Sequence, residues 1–429
     1  MTAEASLLGQ LKGIVGNEHA YAPQDERRFA VDGLTPQAVV EPGSYEEVAA
    51  AMRYANDNGL AVIPWGGGTM MHVGNVPRSY AIAVNLSRLN RVIEYEPADL
   101  TVTCQAGLTL HELQHRLQES RQMLPFVPIG TFLPTVGGVL AANFSGWLRL
   151  GRGTPRDSTI GLRVVTADGR ITRAGGKVVK NVAGYDLCKL YIGSRGTLGI
   201  IVEATFKLTP LSAEERRIEL EFQSLEEACV FATDLVRAFD LEEVHLTRPA
   251  DPFGGAALNV GYALSIGLRG SASGVERSRR EITALSQTPG VQPLTDDRVQ
   301  AFLRTIPDPE QVEEDPLSCI ASILPSRLPG LIQAFKQAAP GPYIWSDLIA
   351  GTVLAIWLGA GANEGLLSNI RAITATAGGT VIVDGCAHAL KERIDVFGDL
   401  PPSFELMRHI KQEFDPKGTL SPGRFVGRL

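Results

Sequence analysis

A glycine-rich loop directly after a short apolar run is the first segment of the chain whose residue types suit chemistry. The run Leu60 to Pro64 leads into Trp65, Gly66, Gly67, Gly68, Thr69 and Met70. Glycines leave backbone N–H groups open to a phosphate, and the threonine hydroxyl adds a further donor. An ordinary turn is an equal alternative for this loop taken alone.

Further segments rich in small residues favour the binding interpretation, because together they provide several places where a ligand could approach the backbone closely. The second segment contains Thr135, Val136, Gly137, Gly138, Ala141, Asn143 and Gly146. The third contains Thr154, Arg156 and Asp157, and the fourth contains Lys180 and Tyr185, followed by Gly196, Thr197, Leu198, Gly199, Ile200 and Ile201. Each of these segments could be structural when taken singly, so their order and spacing along the chain decide between the two interpretations.

The order of these segments resembles a known flavoprotein family. The segments are PWGGGT, LPTVGGVLAANFSG, TPRDSTIG, KNVAGYDLCKLYIGSRGTLGII and FDPKGTLSPGRF. They resemble the FAD-binding (PCMH-type) domain of the vanillyl-alcohol oxidase and p-cresol methylhydroxylase superfamily, in its branch of flavin-linked 2-hydroxy-acid oxidoreductases. The resemblance implies that GGGT cradles the pyrophosphate of FAD. It also implies that TVGG and GTLGII line the isoalloxazine and the ribityl chain, and that the residues named above, from Pro64 to Met70 and in the three further segments, belong to one cofactor site.

The resemblance also implies an α+β fold and a domain plan. Residues 1–210 would form a PCMH-type FAD-binding domain of two α+β subdomains, and residues 211–400 a smaller α+β cap that contacts substrate or a partner. Residues 401–429 would return to the FAD-binding domain. A chain of 429 residues exceeds what one hydrophobic core usually supports, which agrees with more than one domain.

Non-covalent FAD is favoured, because the family attaches flavin through a His, Cys or Tyr and the position after the double glycine is Gly68. His72 is a minor alternative for attachment. The cap lacks the histidine-rich HxGDGNxH metal site of many 2-hydroxy-acid relatives, and among its histidines only His388 stands in a tight constellation. Arg195 and Ser421 replace a glutamate and an asparagine that are usual in relatives. The catalytic base stays unassigned.

The KNVAGYDL segment and the short cap are most similar to the FAD-binding E subunits of bacterial glycolate oxidase. That similarity implies a small hydroxy-acid substrate, a second flavoprotein subunit and an iron-sulfur subunit as partners. Two alternatives stay open: a self-sufficient FAD-dependent oxidase or dehydrogenase of another small alcohol or hydroxy acid, and a flavin-free structural subunit. The substrate, the electron acceptor and the oligomeric state are not readable from the sequence.

Composition argues against several other classes of protein. The net charge of −7 disfavours a nucleic-acid surface, and the five cysteines have no CxxC spacing for an iron-sulfur cluster. The longest weakly polar stretch, Leu348 to Ala362, is about 15 residues, too short to span a bilayer, and indicates buried strands. The N-terminus lacks the pattern of a secretory signal. We expect a cytoplasmic protein, which could also be peripheral on the inner membrane through its partners.

One further motif is better explained by ordinary structure, and another is missing. His111 to His115 satisfies the zinc pattern HExxH, but Leu110, Leu113 and Leu117 predict a helix with a buried stripe. No GxGxxG opens a helix as a Rossmann unit requires. The remaining pattern predicts helices at 44–58, 108–120 and near Ala213 to Ile218, and a hairpin turn at Ala167 to Gly169. No internal repeat is visible.

Overall fold

A computed structural model describes residues 3–25, 27–126, 133–146, 149–176, 185–248, 261–286, 291–293, 316–339, 341–358 and 363–429. The chain folds as two compact units. Unit 1 comprises residues 1–146, 153–211 and 399–429, and unit 2 comprises residues 147–152 and 212–398. Two assignments stay predictions. The first is FAD binding by residues 1–210, to which residues 401–429 would return. The second is contact with substrate or a partner by residues 211–400.

The helices differ widely in length, from one turn to about four. In chain order they are α1 (Ala3–Val15), α2 (Tyr45–Asp57), α3 (Leu110–Gln118), α4 (Val136–Ala142), α5 (Arg149–Arg152), α6 (Pro155–Ser158), α7 (Cys188–Tyr191), α8 (Leu225–Ala238), α9 (Ala272–Leu285), α10 (Leu328–Ala338), α11 (Glu364–Thr376), α12 (His388–Arg393) and α13 (Phe404–Phe414). Short 3₁₀ turns lie at Pro97–Asp99, Pro325–Arg327 and Val426–Arg428. No helix among the described residues combines the length and the apolar composition that crossing a bilayer requires.

The capping signal at Ser44 correctly predicted α2. The Ser44 hydroxyl accepts the Glu47 backbone N–H at 3.1 Å, and the Glu47 carboxylate accepts the Gly43 N–H at 2.7 Å. The first bond satisfies a backbone donor that the first turn of a helix leaves without a partner, and the second holds the residue before the cap. The helix ends before Gly59, whose φ of +65° is easily adopted by glycine.

Two sheets form the framework of the described part of unit 1. Their strands are β1 (Ala20–Tyr21), β2 (Ala38–Val40), β3 (Val62–Trp65), β4 (Ile82–Asn85), β5 (Val92–Glu96), β6 (Thr101–Gln105), β8 (Thr159–Val165), β9 (Ile171–Gly175) and β10 (Ile200–Lys207), while β7 (Gln122–Met123) pairs separately with β11 (Thr209–Pro210). The first sheet has the order β1-β2-β4-β3, with β2, β4 and β3 parallel. The second is antiparallel, in the order β5-β6-β10-β8-β9.

These sheets confirm the predicted α+β class and the predicted hairpin. The last residue of β8, Val165, pairs with the first residue of β9, Ile171. The turn between the two strands therefore includes Ala167 to Gly169, as the sequence indicated. One apolar core contains residues of both sheets, and α2 contributes Val48, Met52 and Ala55 to it. Unit 1 is therefore one packed body in which strand ends and loops can meet.

Unit 2 is built around an eight-stranded antiparallel sheet in the described residues. Its strands are β12 (Glu214–Phe222), β13 (Glu243–Arg248), β14 (Tyr262–Gly270), β15 (Val291–Pro293), β16 (Leu317–Ser322), β17 (Tyr343–Asp347), β18 (Thr352–Trp357) and β19 (Thr380–Gly385), in the order β15-β12-β14-β13-β17-β18-β16-β19. Helices α8 and α9 follow β12 and β14, and α10 and α11 follow β16 and β18. The sheet thus consists of two βαββαβ halves joined between β13 and β17.

Unit 2 corrects two expectations from the sequence. A repeat is present in the topology, although the two halves share no visible sequence pattern. The segment Ala213 to Ile218, predicted to be helical, lies in strand β12 except for its first residue. Its partner β14 supplies a continuous ladder from Glu214 to Phe222, and Leu220 and Phe222 alternate into the core. Tertiary pairing therefore outweighs the local charge pattern.

The stretch Leu348 to Ala362 is strand in part. It contains β18, whose side chains alternate between buried and half-buried positions. Leu348 is buried in the turn before β18, and residues 359–362 lie outside the described residues. A Pro- and acid-rich stretch near residues 306–316 also lies outside them, except for its last residue.

Candidate functional site

The glycine loop leaves the end of β3 and lies against the residues that precede α4. A Cβ on Gly66 would collide with the Thr135 hydroxyl, and a Cβ on Gly67 would stand 2.5 Å from the Leu133 carbonyl oxygen. Gly68 has a φ of +76° and packs over the Trp65 ring. The loop is therefore restricted to glycine by contact as well as by conformation, and its backbone is partly open to solvent.

Trp65 anchors the start of this loop. Its indole N–H donates to the Tyr80 hydroxyl at 2.5 Å, and its ring meets Phe29 edge to face at 5.2 Å. Burial raises the pKa of Tyr80, so the phenol stays neutral and its oxygen accepts this bond. A rigid anchor fixes where the glycine backbone begins.

Helix α4 is the element around which the predicted segments meet. The Thr135 hydroxyl accepts the Gly138 N–H at 3.3 Å and caps the helix. The Gly137 N–H donates to the Ala106 carbonyl at 2.7 Å, and a Cβ on Gly137 would lie 2.9 Å from the Ala106 Cβ. Gly137 therefore permits α4 to pack tightly on the end of β6. Helix α6 and strand β10 also contact α4.

The loop that leads into β10 joins this cluster from the other side. The Gly193 and Arg195 N–H groups donate to the Leu140 and Ala141 carbonyls, each at 2.9 Å. Gly196 has a φ of +72°, and a Cβ there would lie 3.1 Å from Pro64 at the end of β3. The structure thus brings Gly196 to the glycine loop, more than one hundred residues earlier in the chain.

The C-terminal segment completes the cluster. Leu420 pairs with Val62 in a parallel bridge beside β3, and the Ser421 N–H donates to the Val62 carbonyl at 2.8 Å. The Arg424 guanidinium donates to the Met71 and Val73 carbonyls at 2.8 Å and so holds the chain that follows the glycine loop. Residues from four distant parts of unit 1 therefore converge on one place.

Two buried side-chain oxygens of α4 and the C-terminal segment have no hydrogen-bond partner among the described residues. They are Asn143 Oδ1, at the end of α4, and Ser421 Oγ. Buried polar groups are almost always paired, so each such atom needs a separate explanation. Partnerless oxygens and a glycine backbone that excludes side chains fit a polar cofactor. The residues present therefore suit FAD, and the chemistry of the site is consistent with non-covalent binding.

Several predicted residues are engaged in local structure. The Asp157 carboxylate accepts the Thr154 N–H at 2.8 Å and the Thr154 hydroxyl at 2.7 Å, forming a capping box at the start of α6. These bonds lower the pKa of Asp157. The Arg156 side chain is exposed. The Asp157 carboxylate is thus engaged by Thr154, whereas a contact of Arg156 with a ligand stays a prediction.

Other predicted residues have side chains in the core. Val136, Leu198, Ile200 and Ile201 belong to the apolar cluster of unit 1, and the Thr197 hydroxyl donates to the Ser194 carbonyl at 2.7 Å. A Cβ on Gly199 would collide with Val164, which explains the glycine there by packing.

The remaining predicted residues lie away from these contacts or are not described. Thr69, Met70, Ala141 and Gly146 are half-buried beside the cluster. The Tyr185 side chain is 95% exposed and does not pack against the described cluster. Lys180 lies outside the described residues. A cofactor role for each of these residues stays a prediction.

The histidine motif of α3 serves the helix itself. Glu112 forms a capping box with Thr109, whose hydroxyl donates to its carboxylate at 2.6 Å. Leu110, Leu113 and Leu117 are buried, whereas His111 and His115 are exposed. A zinc site would require Glu112 as its general base, but the Glu112 carboxylate is already bonded to Thr109 at the start of the helix.

The histidines His388 and His245 of unit 2 have different surroundings. The His388 side chain is 50% exposed and faces Glu392 one turn later at 3.4 Å. His245 is buried on β13, where its ring stacks on Trp345 with 5.0 Å between centroids. Its register partner on β17 is Asp347, which is also buried. The sequence carried no signal for this pair, because pairing between β13 and β17 depends on the sheet register.

Comparison with known proteins agrees with this geometry. Residues 36–175 match the family of the FAD binding domain, FAD_binding_4. The chain is 32% identical over 203 residues to the glycolate oxidase subunit GlcD of Bacillus subtilis (strain 168), covering 47% of this chain and 43% of that protein. It is 33% identical over 239 residues to a D-lactate dehydrogenase of Archaeoglobus fulgidus, covering 54% and 53%. The matched parts thus span about half the length of these relatives, or less.

The fold extends the likeness over the whole chain. The structure of p-cresol methylhydroxylase with substrate bound superposes with a TM-score of 0.78 at 15% identity, covering 99% of this chain and 97% of that one. The chain therefore contains an FAD binding domain within a PCMH-type fold. Its cofactor is FAD, as the glycine segments predicted.

Proposed function

We propose that this chain is the FAD-binding subunit of a complex that oxidises glycolate or a similar small 2-hydroxy acid. The observation that carries the proposal is the convergence of four residues on one cluster: Gly66 and Gly137 from the matched FAD binding domain, and Gly196 and Ser421 from beyond it. The names of its relatives, a glycolate oxidase subunit and a D-lactate dehydrogenase, support a 2-hydroxy-acid substrate.

In this proposal the chain binds and orients the cofactor. The backbone from Gly66 to Thr69 holds the pyrophosphate, and the segments at Thr135 to Gly138 and Gly196 to Ile201 hold the flavin half. Bound FAD supplies two-electron oxidation, which no amino-acid side chain provides. The rigid anchors at Trp65 and α4 keep the cradle in place before the cofactor arrives, which limits the ordering cost of binding.

The word "subunit" in the name of the Bacillus protein supports a shared task. We propose that electrons leave the flavin of this chain for a second flavoprotein subunit and an iron-sulfur subunit, and that the assembly works in the cytoplasm or on the inner face of the membrane. The described cysteines are mostly buried, and burial raises the pKa of Cys319 to about 12. Such thiols suit packing rather than cluster ligation.

A direct test compares the chain alone with the chain purified together with its partners. The first measurement is the absorbance band near 450 nm that oxidised flavins show. The second is dye-linked oxidation of glycolate. We expect a yellow protein whose glycolate oxidation appears only in the complex. Full activity of the isolated chain contradicts the subunit proposal, and a colourless chain that binds no added FAD contradicts the whole function.

A second candidate is a self-sufficient dehydrogenase of another small alcohol or hydroxy acid. The D-lactate dehydrogenase relative favours it, because that match covers more of both chains than the match to GlcD. Mixing the isolated protein with D-lactate or glycolate and following the 450 nm band separates the two candidates. Rapid bleaching by D-lactate without partners supports self-sufficiency, and no bleaching by either acid supports the subunit.

A further inference from the structure

Ser421 has the properties of a residue held in place for a ligand. It is 1% exposed, and its hydroxyl has no hydrogen-bond partner among the described residues. Its φ is +43°, in the left-handed region that a non-glycine residue rarely adopts. A buried unsatisfied hydroxyl and a strained backbone both cost stability, and such features concentrate at binding sites.

The surrounding structure holds Ser421 in this conformation. Its N–H donates to the Val62 carbonyl at 2.8 Å, and its carbonyl accepts the Arg424 N–H at 3.2 Å. The Lys411 ammonium donates to the carbonyl of the preceding Leu420 at 2.9 Å. The position of Ser421 is thus determined on both sides, and its hydroxyl stays in a fixed place.

That place is the predicted cofactor cradle. The Ser421 Oγ lies 3.6 Å from the point where a Cβ of Gly196 would stand, and Pro64 lies 3.1 Å from the same point. Gly193, in the same loop as Gly196, lies close to Asn143. The Asn143 Oδ1 is the other partnerless oxygen of this cluster. Two unsatisfied oxygens on separate segments therefore flank one loop.

We infer that the Ser421 hydroxyl hydrogen-bonds a polar atom of bound FAD, so that the C-terminal segment forms part of the cofactor site. The inference rests on the proposed FAD function. It assigns to Ser421 a positioning role that the glycine segments do not provide, because a hydroxyl can both donate to and accept from the cofactor.

The experiment titrates FAD into the full-length apoprotein and follows the quenching of flavin fluorescence. Ser421→Ala removes the hydroxyl, and Ser421→Gly removes it while also accommodating the positive φ. The control is Ser286→Ala in unit 2, because Ser286 is equally buried but its hydroxyl already donates to the Thr283 carbonyl at 2.8 Å. The melting temperature of each apoprotein is measured in parallel.

We expect both Ser421 variants to raise the Kd for FAD about 3- to 10-fold, the effect of one hydrogen bond. Their apoproteins should melt at the same or a higher temperature than the parent, with Ser421→Gly the highest. Ser286→Ala should melt lower and bind FAD as the parent does. This combination of weaker binding with unreduced apoprotein stability is not expected of a purely structural serine.

Two results overturn the inference in distinguishable ways. If the parent binds FAD and both Ser421 variants bind it equally well, Ser421 has no contact with the cofactor and the proposed function stands. If the parent binds no FAD, the proposed function fails as well. A lower melting temperature of the Ser421→Ala apoprotein also rejects the inference, because the hydroxyl would then serve the fold.

Discussion

Lys411 and Asp415 form a buried ion pair one turn apart at the end of α13, with 2.6 Å between Nζ and Oδ2. The Lys411 ammonium also donates to the Thr197 carbonyl at 2.8 Å, so this pair ties the C-terminal segment to the loop before β10. Asp415 in turn accepts the N–H groups of Thr419 and Leu420. Burial lowers the pKa of Lys411, and the Asp415 carboxylate opposes that shift.

Lys411→Met should destabilise unit 1 by about 3–5 kcal/mol, because it leaves a buried carboxylate without its cation. Urea unfolding of the full chain measures the loss. The matched control on the same helix is Arg408→Met, which removes an exposed pair with Glu405 and should cost no more than about 1 kcal/mol. Equal losses for the two variants contradict a special role of the buried pair.

Gly67→Ala should weaken FAD binding at least about tenfold, because its Cβ would stand 2.5 Å from the Leu133 carbonyl oxygen and the loop must move. Flavin content after gel filtration and the Kd for added FAD measure the effect. Gly13→Ala on α1 is the control, since nothing lies within 4 Å of its added Cβ. It should retain FAD and gain up to about 1 kcal/mol of stability. An FAD affinity of Gly67→Ala equal to that of the parent argues against the cradle.

Asp347→Asn should stabilise unit 2 at neutral pH, with a gain that shrinks in acid. Burial raises the pKa of Asp347, while its carboxylate accepts the Ile349 and Ala350 N–H groups, which an amide oxygen can also do. The folded state therefore pays for the charged form above the raised pKa. That cost disappears as the pH falls through the raised pKa toward the unfolded value of 3.8. Urea unfolding at pH 7.5 and pH 4.5, followed by tryptophan fluorescence, measures the gain.

Asp157→Asn should change the stability of the fold in the opposite direction, as a loss rather than a gain. Hydrogen bonds from Thr154 lower the pKa of Asp157, so the charged form stabilises the fold above the unfolded pKa. The variant should be less stable than the parent by the same amount at pH 7.5 and pH 4.5. That stability contribution is lost only as the pH falls further, through the lowered pKa. A gain for Asp347→Asn that does not depend on pH would show that its charge is not what the fold disfavours.

His388→Ala should change neither flavin content nor glycolate oxidation and should alter stability by less than about 0.5 kcal/mol, because the side chain is half exposed. His245→Ala should cost about 2–4 kcal/mol, since it removes a buried ring stacked on Trp345. Thermal unfolding and the dye-linked assay test both variants. A marked loss of oxidation in His388→Ala with intact folding would instead indicate a catalytic role for His388.

The sequence predicted the parts of the site that depend on local conformation. The Ser44 cap of α2 and the positive φ of Gly68 in the loop after β3 depend on neighbours in the chain, and the structure shows both. The role of FAD followed from the order of the glycine segments. The position of Gly196 against Pro64 could be expected only through family resemblance, because no local rule connects residues so far apart.

Features that depend on strand register were not predictable from one sequence. The charged residues near Glu214 resembled a helix start, yet β14 recruits them into a strand. His245 and Asp347 lie opposite each other because of the register in which β13 pairs with β17. A shift of that register by one residue would separate them. The unsatisfied Ser421 hydroxyl was invisible for a related reason, since burial and missing partners are properties of the folded state alone.

Unit 2 interrupts unit 1 in the order of translation. A ribosome makes residues 212–398 before it makes 399–429, an interval of roughly 10 to 40 s at common elongation rates. During that interval the edge of β3 that later receives Leu420 has no neighbour, and an open strand edge is a site of aggregation. Nascent chains of this protein therefore pass through a vulnerable stage in which chaperone binding would have its greatest effect.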